Sequence, residues 1–307
     1  MAKDNALEEV LVHSASSSAI LHRLWTLEED AFLQEAAMYL ENPSFLMRMA
    51  DKMGQPLSWV MEKFPDAVHQ AVNKSLQKAL EASLSGFPEE PVKEVCAAGA
   101  PEQGRGRSSW CTALAGLSGA VGGALGGIGL AVELPISTMV MMRSIASIAR
   151  DYGEDLAEQE ARLQCLAVLS HGGFSRSGEL TQSSYLSSRA SLTLLLRDAS
   201  QFLTKISTRE LADAMARGTA PRLAMLVSKI AQRFGVVVSQ KAVAQSVPVI
   251  GALGGGWVNM AFADHFARVA RFHFGIRQME RKYGREHVIA AYQKMLPTVS
   301  EVEEPTD

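Results

Sequence analysis

Apolar positions recur every three or four residues along most of the chain, and few segments alternate. From Leu27 to Leu40 the positions Leu27, Phe32, Ala36, Tyr39 and Leu40 share one helical face, and Pro43 stops the pattern. Pro56 and Pro65 open new helical stretches. The second, Asp66 to Leu84, turns Val68, Val72, Leu76, Ala79 and Leu80 inward and meets Gly86, a residue suited to a helix C-terminus. Further helices are expected over Pro135–Tyr152, with Thr138, Met141, Ile145, Ile148 and Tyr152 as the buried stripe and Arg143 and Arg150 on another face, and over Asp155–Ser170. They continue over Tyr185–Ile206, Arg209–Arg217, Pro221–Phe234, Met260–Tyr283 and Glu286–Met295. In the long one, Phe262, Phe266, Val269, Phe272, Ile276, Met279 and Tyr283 mark a single face. Gly235 to Val238 is the one strand-like stretch, and it is too short to stand as a strand. The pattern predicts an all-α fold.

Two segments break the amphipathic rhythm. Ser108 to Val132 (SSWCTALAGLSGAVGGALGGIGLAV) and Ala242 to Ala263 (AVAQSVPVIGALGGGWVNMAFA) carry no charge, and they end at Glu133 and Asp264. Gly119, Gly123 and Gly127 recur at intervals of four, as do Gly251 and Gly255, so each run offers a ridge on which another backbone can approach closely. Glycine in an exposed helix costs about 1 kcal/mol relative to alanine. Such helices therefore need a partner surface or a bilayer, and the two ridges are expected to pack together as glycine-rich helical hairpins. A membrane span needs about 20 residues. Both runs are long enough, but basic residues flank them on both sides: Arg105, Arg107 and Arg143 for the first, Lys241, Arg268 and Arg271 for the second. That symmetry suits a hairpin or shallow insertion returning to one face, with Pro135 and Pro248 as bend points, rather than a simple span. A buried hairpin in the core of a soluble protein fits the same residues.

Composition narrows the function. With 21% charged residues and a net charge of −3, nothing favours nucleic acid as a partner. Cys96, Cys111 and Cys165 are odd in number and widely spaced, unlike a disulfide framework or a metal site. The opening MAKDNALEEV carries acids and no basic-then-apolar signal, which predicts synthesis in the cytosol; together with the two flanked apolar runs this predicts a cytoplasmic location with peripheral or shallow attachment to the inner membrane. The polar stretches Gly86–Ser109 and Gly172–Ser184 and the acidic tail after Leu296 read as loops or flexible ends. This divides the chain into an N-terminal helical part (1–85), a Gly/Pro-rich loop (86–109), a helical core (110–296) and the tail (297–307).

No spacing amounts to a catalytic, metal-binding or cofactor-binding signature. There is no phosphate-binding loop, nucleophile elbow or paired-histidine zinc motif, and Met139 to Met142 reads as core. The candidate functional polar residues are Glu133, Arg143, Asp264, His265, Arg268 and His273. Glu133, beside apolar sequence, is expected to pair with Arg143, Arg268 or Arg271, or to sit at the helix N-terminus ahead of Pro135. Asp264 and Arg268 form an i,i+4 ion pair. His265, between Phe262 and Val269 on the apolar face, reads either as a general base or as a core histidine satisfied by a neighbour. Convergence of Glu133, Asp264, His265 and His273 in one cleft would make a hydrolase or lipid-modifying site. The two halves also echo each other. Each has a glycine-rich run, then an arginine-bearing helix, then Tyr-Gly, at Tyr152-Gly153 and Tyr283-Gly284.

The segments SGAVGGALGGIGLAVELPISTMVMMRSIASIARDYGEDL, YLSSR around Tyr185 and Arg189, and RFGVVVSQKAVAQSVPVIGALGGGWVNMAFADHFARVARFHFGIRQMERKYG resemble the EcsC family. EAAMYLENPSFLMRMADKMGQPL is similar to its N-terminal part, and Arg277 and Glu280 belong to the pattern. The resemblance implies a mostly helical bacterial protein, named for a gene beside an ABC transporter, and it supplies no catalytic residue. A non-enzymatic accessory protein at the inner face of the cytoplasmic membrane is the expected function. Its partners would be membrane lipids or a membrane protein, ABC transporter subunits among them. A soluble helical adaptor is the further alternative.

Overall fold

The computed structural model describes residues 25–41, 65–85, 127–172, 183–206, 210, 217, 220–246 and 248–296, without the side-chain surroundings of 65–68, 84–85, 127–132, 240, 242–246 and 248–258. Among the described residues the fold is all-α. Its helices are α1 (Leu27–Glu41), α2 (Pro65–Ser85), α3 (Gly127–Asp151), α4 (Gln159–His171), α5 (Ser184–Leu203), α6 (Pro221–Ser246), α7 (Pro248–Tyr283) and α8 (Arg285–Lys294). None of the described helices is long and apolar enough to cross a membrane.

Local chemistry sets several of these boundaries. At the start of α1, Thr26 and Glu29 form a reciprocal capping box: the Glu29 N–H donates to Thr26 Oγ1 at 3.1 Å and the Thr26 N–H to Glu29 Oε2 at 2.9 Å. At the end of α3, Gly153 has φ +78°, its N–H donates to the Arg150 carbonyl, and the Glu154 N–H reaches back to Ala149. That pair of bonds is a Schellman motif, which a glycine in the left-handed region permits. Gly284, at φ +88°, ends α7 with a single bond from its N–H to the Glu280 carbonyl. The Tyr-Gly echo thus marks two helix ends of the same kind.

The core is built around α4 and α7. In α4 every residue from Leu163 to His171 is buried, so only its first turn, with Glu160, reaches solvent. On α7, Phe262, Phe266, Val269, Phe272, Ile276, Met279 and Tyr283 are all buried, the face the periodicity predicts. α2 lies along α3, α6 packs on α2, α4, α5 and α7, and α1 crosses α5, α7 and α8. Gly275 lets α1 approach closely, since a Cβ there would stand 2.2 Å from Phe32 Cζ.

Five expectations change. The long helix expected from Met260 begins at Pro248. Pro135 lies inside α3 rather than starting a helix or bending a hairpin, because the helix begins at Gly127. The strand-like Gly235–Val238 is the middle of α6, which runs to Ser246 and buries Phe234, Val237 and Val238. Leu27, placed on the inner face of α1, is 90% exposed because it occupies the first turn, ahead of the packed Leu33, Ala36, Ala37 and Leu40. The helix predicted from Asp155 starts only at Gln159, after the turn in which the Ala157 N–H donates to Asp155 Oδ1 at 2.8 Å. The loop 86–109, the tail 297–307, Gly119 and Gly123 lie outside the described residues.

Candidate functional site

Three polar stripes on otherwise apolar helices meet in the interior. α4 ends in Ser170 and His171. α5 places Tyr185, Ser188 and Arg189 within its first two turns, at spacings that share a face. α7 repeats the arrangement with His273, Arg277 and Glu280 on consecutive turns. His171 Nδ1 lies 3.0 Å from Ser188 Oγ, and Tyr185 Oη lies 3.0 Å from His273 Nδ1. The two imidazoles lie against each other, with ring centroids 4.7 Å apart. His273 Nε2 is buried without a hydrogen bond among the described residues.

Charges ring this cluster. Arg189 grips Glu280 with both terminal nitrogens, at 2.8 and 2.7 Å, a fork-to-fork pair. Arg277 holds Glu154 through Nε and Nη2 at 2.9 and 3.1 Å, and Arg281 donates to the same carboxylate. Burial pushes the Glu154 carboxyl up, but Arg277 and then Arg281 outweigh it and hold the group below its ordinary range. His171 and His273 are held well below the usual imidazole value. Burial is the main cause for both. Arg189, Arg233 and Arg277 add to it at His171, and His171, Arg189 and Arg277 at His273. Both rings are therefore neutral near pH 7. Burial likewise pushes the Tyr185 phenol up to about 12.

A cleft of about 210 Å³ opens beside the cluster and is lined by His171, Gln164, Arg189, Arg277 and Glu280, with Arg197 and Arg285 among the outer residues. Glu41 braces the other side of α5. It accepts hydrogen bonds from the Ser184 N–H at 2.7 Å, from Tyr292 Oη at 2.9 Å and from the Ser183 hydroxyl, placing a carboxylate at that helix N-terminus.

The candidate residues named from sequence fall into separate sets. Glu133 pairs with Lys241 at 2.8 Å, not with Arg143, Arg268 or Arg271. The extension of α6 past Phe234 brings Lys241 to it. Arg143 is exposed on α3. Asp264 and Arg268 form the expected pair, 2.9 Å apart. His265 bonds Tyr39 Oη at 3.0 Å and the Gly172 carbonyl at 2.9 Å, the satisfied core histidine of the two readings. Burial, with a smaller push from Arg268, outweighs the Gly172 bond and lowers it to about 4. Only His273 belongs to the central cluster, so Glu133, Asp264, His265 and His273 do not converge. Gly127 lies in α3 and Gly251 and Gly255 in α7, but the surroundings of these ridges are outside the described residues.

His171, Ser188, Glu41 and Glu154 were not singled out from the sequence, and Lys241 was seen only as a flank of the second run. A signal for Ser188 was present in YLSSR, whose polar residues recur at helical spacing. Nothing local marks His171, which follows an apolar run. Among the described residues no group of three His, Cys, Asp or Glu side chains could hold a metal ion.

The profile of the EcsC protein family matches residues 33–279, and the chain belongs to that family. Searches of curated proteins and of solved structures find no match.

Proposed function

We propose that this EcsC-family protein is a non-enzymatic accessory protein held at the inner face of the cytoplasmic membrane by its two charge-free glycine-rich runs. The observation that carries the reading is the Glu133–Lys241 ion pair. Glu133 closes the first run and Lys241 immediately precedes the second, and the two charges meet at 2.8 Å with Lys241 fully buried. The pair ties the borders of both runs to one place in the bundle, and α3 packs along α7. Charge-free apolar runs whose borders meet in this way are covered more favourably by lipid or a membrane protein than by water. Of the basic flanks, Lys241 is spent on Glu133, whereas Arg143, Arg268 and Arg271, which follow the two runs, reach the surface and suit anionic headgroups.

Fractionation of cells expressing the full chain tests this. The protein is expected in the membrane fraction, at least partly released by carbonate and fully by detergent. Recovery of the full-length protein in the soluble fraction without either treatment would overturn the reading.

A further inference from the structure

We propose that the cleft between α4, α5, α7 and α8 is a binding site for a phosphate monoester. Its lining carries four arginines, Arg189, Arg197, Arg277 and Arg285, against two glutamates, Glu160 and Glu280. Glu154, behind Arg277, is matched by Arg277 and Arg281 together. The lining therefore has an excess of two positive charges. That excess complements a phosphate monoester, which carries about −1.5 to −2 at pH 7, better than it does a single carboxylate.

The arginines are also arranged for such a ligand. Arg189 and Arg277 are part-buried and fixed in place by bidentate carboxylates, and a guanidinium has five N–H donors, more than those pairs use. Arg197 and Arg285, exposed at the rim, approach from α5 and from the start of α8. His171 lines the same cleft, oriented by Ser188 at its Nδ1. Because the surrounding burial and arginines keep that ring neutral, it adds a polar contact without charge. The cleft, of about 210 Å³ and open to solvent, has room for a phosphate and a small organic group. The site stands apart from the membrane reading, since a soluble phosphate ester and a lipid phosphate headgroup offer the same chemistry.

Titration calorimetry of the full chain with glycerol 3-phosphate at low salt, beside flotation with phosphatidylcholine vesicles with or without phosphatidic acid, tests it. Saturable binding of glycerol 3-phosphate, or flotation that requires phosphatidic acid, is expected. The first result assigns a soluble ester and the second a lipid. In the R197A/R285A variant, whose exposed positions leave the core intact, that binding is expected to weaken at least tenfold, with the thermal midpoint unchanged. R197K/R285K should recover part of it. Absence of both kinds of binding, or binding that R197A/R285A leaves unaltered, would overturn the proposal.

Discussion

The ammonium of Lys241 has no exposed surface and lies between the Glu133 carboxylate and the ring of Phe262, 4.7 Å from the ring centroid. Burial lowers its pKa, and Glu133 works against that shift. Removing one member of a buried pair strands the other charge, which costs about 3–5 kcal/mol, whereas replacing both with apolar groups is often neutral. E133Q is therefore expected to lower unfolding free energy by about 3 kcal/mol in urea, and E133L/K241M to regain most of it. Equal losses in the two variants would show that the pair itself contributes little.

The buried histidines make a separate prediction. His171, His265 and His273 all have folded pKa values below the unfolded value of about 6.5. The unfolded chain takes up protons that the folded chain refuses, so stability is full above pH 6.5 and falls as pH drops below it, for His265 down to about 4. Each histidine contributes a slope of up to about 1.4 kcal/mol per pH unit. Glu29 acts in a lower window. Burial raises its pKa, but bonds from Lys282, the Thr26 N–H and Tyr283 prevail and bring it to about 2, so its contribution is lost only below about pH 4.5. Urea midpoints should fall steadily from pH 7 to pH 5. A flat profile over that range would contradict the assignment of neutral, buried imidazoles.

At the scale of elements, periodicity was a dependable guide on α7, where every predicted inward residue is in the core, and weaker at helix ends, as at Leu27 in the first turn of α1. It was weakest where burial is all-round. The second half of α4 is apolar and buried on every side up to Ser170, so its sequence does not reveal that His171 ends it inside the protein beside Arg189 and Arg277. Partners far apart in sequence were equally hidden: the choice of Lys241 over an arginine for Glu133 depends on how far α6 extends, and Gly235 and the β-branched valines after it suggested an earlier end. Helix-to-helix distance is another such property. Gly275 lies on α7 opposite Phe32 of α1, and alanine there would bring its Cβ within 2.2 Å of the ring. Overpacking of this kind costs about 1–3 kcal/mol. G275A should therefore destabilise the chain by that amount, yet be neutral or stabilising in an F32A background, where alanine's better helix propensity remains. Additive effects in the double-mutant cycle would deny the close approach of α1 to α7.

For the whole molecule, the sequence pointed to the all-α class and to the family, and family membership is secured by the match over residues 33–279. The central polar cluster and its arginine-lined cleft arise only when α4, α5, α7 and α8 assemble: the family pattern holds Tyr185, Arg189, Arg277 and Glu280, but no spacing in the sequence shows that they meet beside His171. The two apolar runs, by contrast, are plain in the sequence, and each carries a tryptophan: Trp110 in the first and Trp257 in the second. Trp25 is an internal reference, since it packs between Tyr283 and His287 with centroids 5.4 and 5.5 Å away. The most direct measurement of membrane contact is fluorescence quenching by lipids brominated along the acyl chain. It uses chains that keep one of these three tryptophans and carry phenylalanine at the other two and at Trp59. Trp110 and Trp257 are expected to be strongly quenched in vesicles and Trp25 little. Quenching of both run tryptophans no greater than that of Trp25 would contradict membrane contact by the runs.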